Sequence, residues 1–186
     1  MRRVIKTGLI FSLMGVLAAC GAEHGYYNDH EHYSQPGETV LFAPEISKPR
    51  LQDFHMVDSY GIDSASHSQA LVVDPYLDEG LFEIYWFADS WDDYWVEFYI
   101  SDNPSMDGAE YVGSQMCGVG LDCSEDGLQF CQYSADLYLS CDTGEEHLAD
   151  VSPLIYAIPQ TLYFILQVCD YSFDYCEYSF RPVLFK

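Results

Sequence analysis

Three groups of residues have types and spacings that can do chemistry. The first is His24, Tyr26, Tyr27, Asp29, His30, Glu31 and His32. Imidazoles and carboxylates are good ligands for zinc, copper or nickel, and His30 with His32 can chelate as an i, i+2 pair. Metal-ion capture through His24, Asp29, His30 and His32 is one expectation, and a plain solvated segment is its rival. The second group, Asp122-Cys123-Ser124-Glu125-Asp126-Gly127, has the D-x-S-x-D-G start of a calcium loop, with Tyr133 where the loop's last acid belongs. Asp89, Asp92 and Asp93 form another acidic cluster. No cofactor is expected; weak calcium binding at an unassigned site is the one option, and a plain acidic turn is its rival. The third group is aromatic. If Phe82, Ile84 and Trp86 face a core, Tyr85 and Phe87 face outward beside Glu83. Trp95 and Tyr99 do the same beside Glu97 on the next strand. Tyr85, Trp95 and Tyr99 are then the expected contacts for a sugar ring or a protein partner. The alternative is that another sheet or the N-terminal segment covers them.

Assembled catalytic machinery is missing from the sequence. It holds no GxSxG, HExxH, phosphate loop or GxGxxG. With 30 acids, no pair of carboxylates can be singled out as a glycosidase pair. No catalytic residue is assigned, and a non-catalytic role is expected.

The N-terminus has the layout of an export signal. Arg2, Arg3 and Lys6 precede an apolar run from Gly8 to Ala19. That run is too short to span a bilayer, which takes roughly 20 apolar residues. It closes on Leu17-Ala18-Ala19-Cys20-Gly21, which resembles the lipobox of bacterial lipoproteins. The resemblance covers the first 21 residues. It implies cleavage before Cys20, a diacylglycerol thioether on the Cys20 thiol and acylation of the new amino group. By the family's sorting habit, Gly21 rather than Asp implies the outer membrane over the inner. The implied partners are a membrane, through the anchor, and an envelope protein or glycan, through the domain.

Six further cysteines follow: Cys117, Cys123, Cys131, Cys141, Cys169 and Cys176. Export into an oxidising space and an even number indicate three disulfides. Fifteen pairings exist, and local geometry favours neighbours: 117 with 123 around a Gly-rich loop, 131 with 141 and 169 with 176 across hairpins. A zinc site would expect CxxC pairs, which the chain lacks.

The elements that must position these residues follow from composition and periodicity. The chain has 186 residues, 49 % of them hydrophobic and 16 % aromatic, and a net charge of −23. Loss of residues 1–19 removes three cations and no acid, which takes the charge to −26. Such acidity excludes nucleic-acid binding through phosphates and electrostatic docking on anionic lipid. Three segments are expected: a signal peptide over 1–19, a Gly- and Pro-containing flexible tether over 20–50, and a folded domain over 51–186. Apolar patterning between turn residues marks strands at 54–58, 70–74, 81–89, 94–102, 127–133, 137–141, 162–170 and 176–185. Strands 81–89 and 94–102 are expected to pair as a hairpin. The run 162–170 is nearly all apolar, as a strand covered on both faces would be. Thr143-Gly144-Glu145-Glu146 has capping-box spacing for one short helix. Seven to nine strands with regular turns indicate an all-β, antiparallel β-sandwich, stapled by disulfides. It resembles immunoglobulin-like and fibronectin-III-like sandwiches in architecture alone.

Overall fold

Apolar residues at every second position are sheet-forming because successive side chains of a strand point to opposite faces. Each such run became a strand, as seen in a computed structural model that describes residues 48–65, 71–141 and 147–186. Among the described residues there are ten strands: β1 (Arg50–Val57), β2 (Leu71–Val73), β3 (Leu81–Asp89), β4 (Tyr94–Ser101), β5 (Glu110–Cys117), β6 (Asp126–Tyr133), β7 (Tyr138–Cys141), β8 (Ala149–Asp150), β9 (Gln160–Asp170) and β10 (Cys176–Phe185). Ten is one more than the expected upper count of nine; the strands that the alternation did not mark are β5 and the two-residue β8, which stand at sheet edges. Residues 1–47, which include the segment expected to be a signal peptide, Cys20 and the histidine-rich segment, lie outside the described residues, as does the helix expected at 143–146.

The strands form two five-stranded sheets, ordered β1-β3-β6-β7-β8 and β2-β10-β9-β4-β5. Every ladder is antiparallel except β2 with β10, which is parallel. The inner faces meet through aromatic pairs: Phe82 with Phe164 at 5.8 Å, Trp86 with Phe98 at 5.6 Å and Tyr133 with Phe185 at 4.9 Å between ring centroids. The protein is therefore a β-sandwich with one continuous apolar core. Strand β9 lies in the middle of its sheet, and even its outward Ile165 and Cys169 are buried. Its near-continuous apolar run reflects that position.

The expected hairpin of 81–89 with 94–102 does not form. β3 pairs with β1 and β6, whereas β4 pairs with β9 and β5. Residues 90–93 carry the chain from one sheet to the other. Period-two alternation reads the same for a hairpin and for a crossover, because both bury alternate side chains. What decides is competition for neighbours: the apolar β9 takes the place beside β4 that the hairpin would have given to β3.

The three disulfides join sequence neighbours: Cys117 with Cys123, Cys131 with Cys141 and Cys169 with Cys176. Cys131 and Cys141 stand opposite each other across the β6–β7 ladder, and Cys169 and Cys176 across β9–β10. The free edge of β1 is closed by side chains and a loop. Arg181 donates to the Phe54 carbonyl, Glu177 accepts from the Leu51 N–H, and Ser64 bonds both backbone groups of Met56 at 2.9 Å. Such capping removes the groups that would otherwise template strand addition.

Gly127 opposes Trp86 across the β3–β6 ladder, and the indole covers it. A Cβ there would fall 1.9 Å from Trp86 Cζ2. The substitution Gly127→Val will therefore displace a core ring. We expect a loss of about 3 kcal/mol and a melting temperature roughly 5–10 °C lower. An unchanged melt of the variant would contradict this packing.

Candidate functional site

The crossover at 90–93 separates the residues expected to share one face. Tyr85 lies on the outer face of the β1-β3-β6-β7-β8 sheet, and Trp95 and Tyr99 lie on the outer face of the other. The three cannot contact one ligand together. The expectation of a single Tyr85–Trp95–Tyr99 platform is corrected accordingly.

On the first face, the row His55, Tyr85, Leu128 runs across β1, β3 and β6. The His55 ring stacks on Tyr85 at 5.0 Å with planes 4° apart, and its Nδ1 lies 3.2 Å from Asp53 Oδ2. Tyr85 donates to Glu83, and that bond to an acid, followed by burial, raises the phenol's pKa.

The second face is the more enclosed. One row reads Tyr178, Gln167, Glu97, Ser114, and the next reads Phe180, Ile165, Tyr99, Tyr111. A third, beyond Glu97, holds Trp95 beside the Cys169–Cys176 disulfide. A polar row thus lies between two largely apolar ones. Trp95 stacks on Phe173 at 6.0 Å, and Tyr99 meets Tyr111 edge-on at 5.7 Å. His147 packs on Tyr111 at 5.1 Å. Tyr99 donates to Glu97 at 3.0 Å and Tyr111 to Ser114 at 2.8 Å. Burial, and then the neighbouring Glu97 charge, drives the Tyr99 phenol's pKa upward. Burial also raises the pKa of Glu97, against the Tyr99 hydrogen bond, which lowers it.

That shift has a sign that can be measured. An acid with a raised folded pKa binds its proton more tightly folded than unfolded. The folded state therefore loses stability as pH rises from about 4.5, the ordinary value, through the folded pKa, and the loss persists above it. Glu97→Gln removes this dependence. In denaturant titrations, the variant should gain on the parent chain as pH rises from 4 to 7, and a constant difference would contradict the assignment.

The loops at one end of the sandwich form a third feature. Residues 90–93, 118–125 and 171–175 meet there, because Tyr94, Cys117 and Asp170 occupy one row of the sheet. Gly118 lets two of these loops touch, since a Cβ on it would fall 2.0 Å from Asp93 Oδ1. Tyr94 lies beneath them and donates to the Ser124 carbonyl, and burial pushes its phenol up to about 12. Disulfides close two of the three loops, 117–123 and 169–176.

The acidic stretch 122–127 is divided between that end and a strand. Cys123 is bridged to Cys117, and Asp126 and Gly127 already belong to β6. Asp89 ends β3, with Asp92 and Asp93 in the crossover. Among the described residues no group of three or more His, Cys, Asp or Glu is placed to hold a metal ion. Cys20, His24, Asp29, His30 and His32 lie outside the described residues.

Sequence reasoning missed His55, Tyr111, His147, Phe173, Tyr178 and Phe180. Alternation in 176–185 signals that Tyr178 and Phe180 share a face. Nothing local signals that this face adjoins Tyr99. No protein-family model, no curated protein and no solved structure matches the chain.

Proposed function

We propose that this chain is an exported, lipid-anchored protein of the cell envelope, more specifically of the outer membrane, with a non-catalytic binding or structural role. The observation that carries this is the cysteine balance. Of seven cysteines, six are consumed by three disulfides within the domain. Cys20, at the end of a lipobox-like leader, is the odd one. Paired cysteines fit a body matured in an oxidising space, and an odd cysteine at that position fits a thioether to lipid. Cells grown with labelled palmitate should yield labelled protein in the outer-membrane fraction. An unlabelled chain in the soluble fraction would sink the proposal.

A second reading is carbohydrate binding at the cell surface, and the face around Glu97 favours it. Aromatic side chains there flank a row of Tyr, Gln, Glu and Ser groups that can hydrogen-bond hydroxyls. Glu97 stays on this face although burial works against its charge, a cost that binding sites tolerate. On a glycan array, binding should be lost with Trp95→Ala and Tyr99→Ala and kept with Tyr85→Ala, which lies on the opposite face. An array without hits, or equal loss from Tyr85→Ala, would remove this reading. Metal capture by His24, Asp29, His30 and His32 remains a third proposal, supported by residue types alone. Calorimetry of a peptide over 20–35 with zinc or copper tests it, and no heat at micromolar metal would end it.

A further inference from the structure

We infer that the disulfide-closed loop end is a membrane-docking tip that rests on the bilayer to which Cys20 would be anchored. Five large apolar side chains project from its three loops: Trp91 is 87 % exposed, Val119 92 %, Tyr171 67 %, Phe173 49 % and Leu121 39 %. Val119, Leu121 and Tyr171 are held in water by disulfide-closed loops and cannot fold back to bury themselves, and Trp91 stands in the short crossover beside them. Trp and Tyr add an amphipathic body suited to the region between lipid headgroups and acyl chains.

Where the chain enters the domain identifies the occupant. The described residues begin at Lys48, and Arg50 opens β1 opposite Asp89, at the end of β3 that feeds the 90–93 loop. Lys48 lies over the Tyr175 ring at 5.0 Å, beside the 171–175 loop. The described chain therefore begins at the same end as the exposed apolar residues. Between Cys20 and Lys48 the chain advances 28 residues, a reach of at most roughly 100 Å. A domain held so close meets the bilayer at high effective concentration, so a weak tip suffices. Asp92, Asp93, Asp122, Glu125 and Asp174 surround the tip, so the favoured surface is zwitterionic rather than anionic lipid. Docked this way, both sheet faces stand away from the bilayer and stay open to a ligand.

This inference rests on the lipid-anchored reading, but its test does not need the lipid. The chain from residue 20 onward, carrying Cys20→Ser and so unacylated, is sedimented with phosphatidylcholine vesicles. It should partition measurably, and less onto phosphatidylglycerol. Trp91 emission should shift to the blue, a change absent from Trp91→Phe. Trp91→Ala and Val119→Asp should each lower partition about tenfold, the scale of one buried apolar side chain. Phe130→Ser, on an outer sheet face away from the tip, should leave partition unchanged. Thermal melts establish that each variant is folded. No partition onto either lipid, or equal loss from Phe130→Ser, would overturn the tip. So would a protein cross-linked through Trp91 when vesicles do not bind. Acylated native protein whose C20S form ignores vesicles would sink the tip alone, whereas C20S chain that binds beside native protein without lipid would sink the anchor alone.

Discussion

Reduction of the three disulfides should lower the melting temperature by roughly 20–30 °C, enough to unfold the domain near 37 °C. The closed loops span sequence separations of 6, 10 and 7 residues. In the chain-entropy account each restrains the unfolded state by about 2–3 kcal/mol, or ~7 kcal/mol together. A domain of this size has only about 5–15 kcal/mol in all. Two of the bridges join strands directly opposite each other, β6 to β7 and β9 to β10, so their loss also frees the ends of hairpins. The third shapes the loop end. Circular dichroism melts with and without dithiothreitol read the effect. A shift below about 5 °C would mean that the core suffices without its staples.

Cys20→Ala should abolish acylation and leave residues 1–19 attached. The peptidase of the family that the leader resembles cuts before a lipid-bearing cysteine, and alanine offers no thiol for the lipid. The effect on membrane affinity is large, because burial of one long acyl chain contributes on the order of 10 kcal/mol at ~0.8 kcal/mol per methylene. In detergent phase separation, native protein should enter the detergent phase, and no acylated form should appear from the variant. Processing of the variant at the native position would show instead an ordinary secretory signal with an incidental cysteine.

Local patterns carried much of the fold. Trp86 and Phe98 were legible as core residues because each sits on the apolar parity of a long strand. The disulfide partners were legible because short-loop closure favours neighbours, and the hairpins between them had turn residues. The β3–β4 arrangement was not legible, since period-two alternation does not record which sheet a strand joins. That one ambiguity placed Tyr85 on the wrong side of the sandwich relative to Tyr99. The loop end was less legible still. Trp91, Val119 and Tyr171 are scattered over some 80 residues of sequence and meet only because β3, β4, β5 and β9 all begin or end there. No local rule separates an exposed loop aromatic from a buried one. Glu97 shows the same limit, because Tyr99 beside it is on its own strand but Gln167 opposite it comes from β9.

The proposed export and anchoring of this chain and its three disulfides meet in one measurement: the intact mass of native protein from its own cells, before and after thiol alkylation. The expected mass is that of residues 20–186 plus a diacylglyceryl group and an amide-linked acyl chain, with six cysteines that alkylate only after reduction. A mass that still includes Met1, or cysteines downstream of Cys20 that alkylate without reduction, would contradict the account.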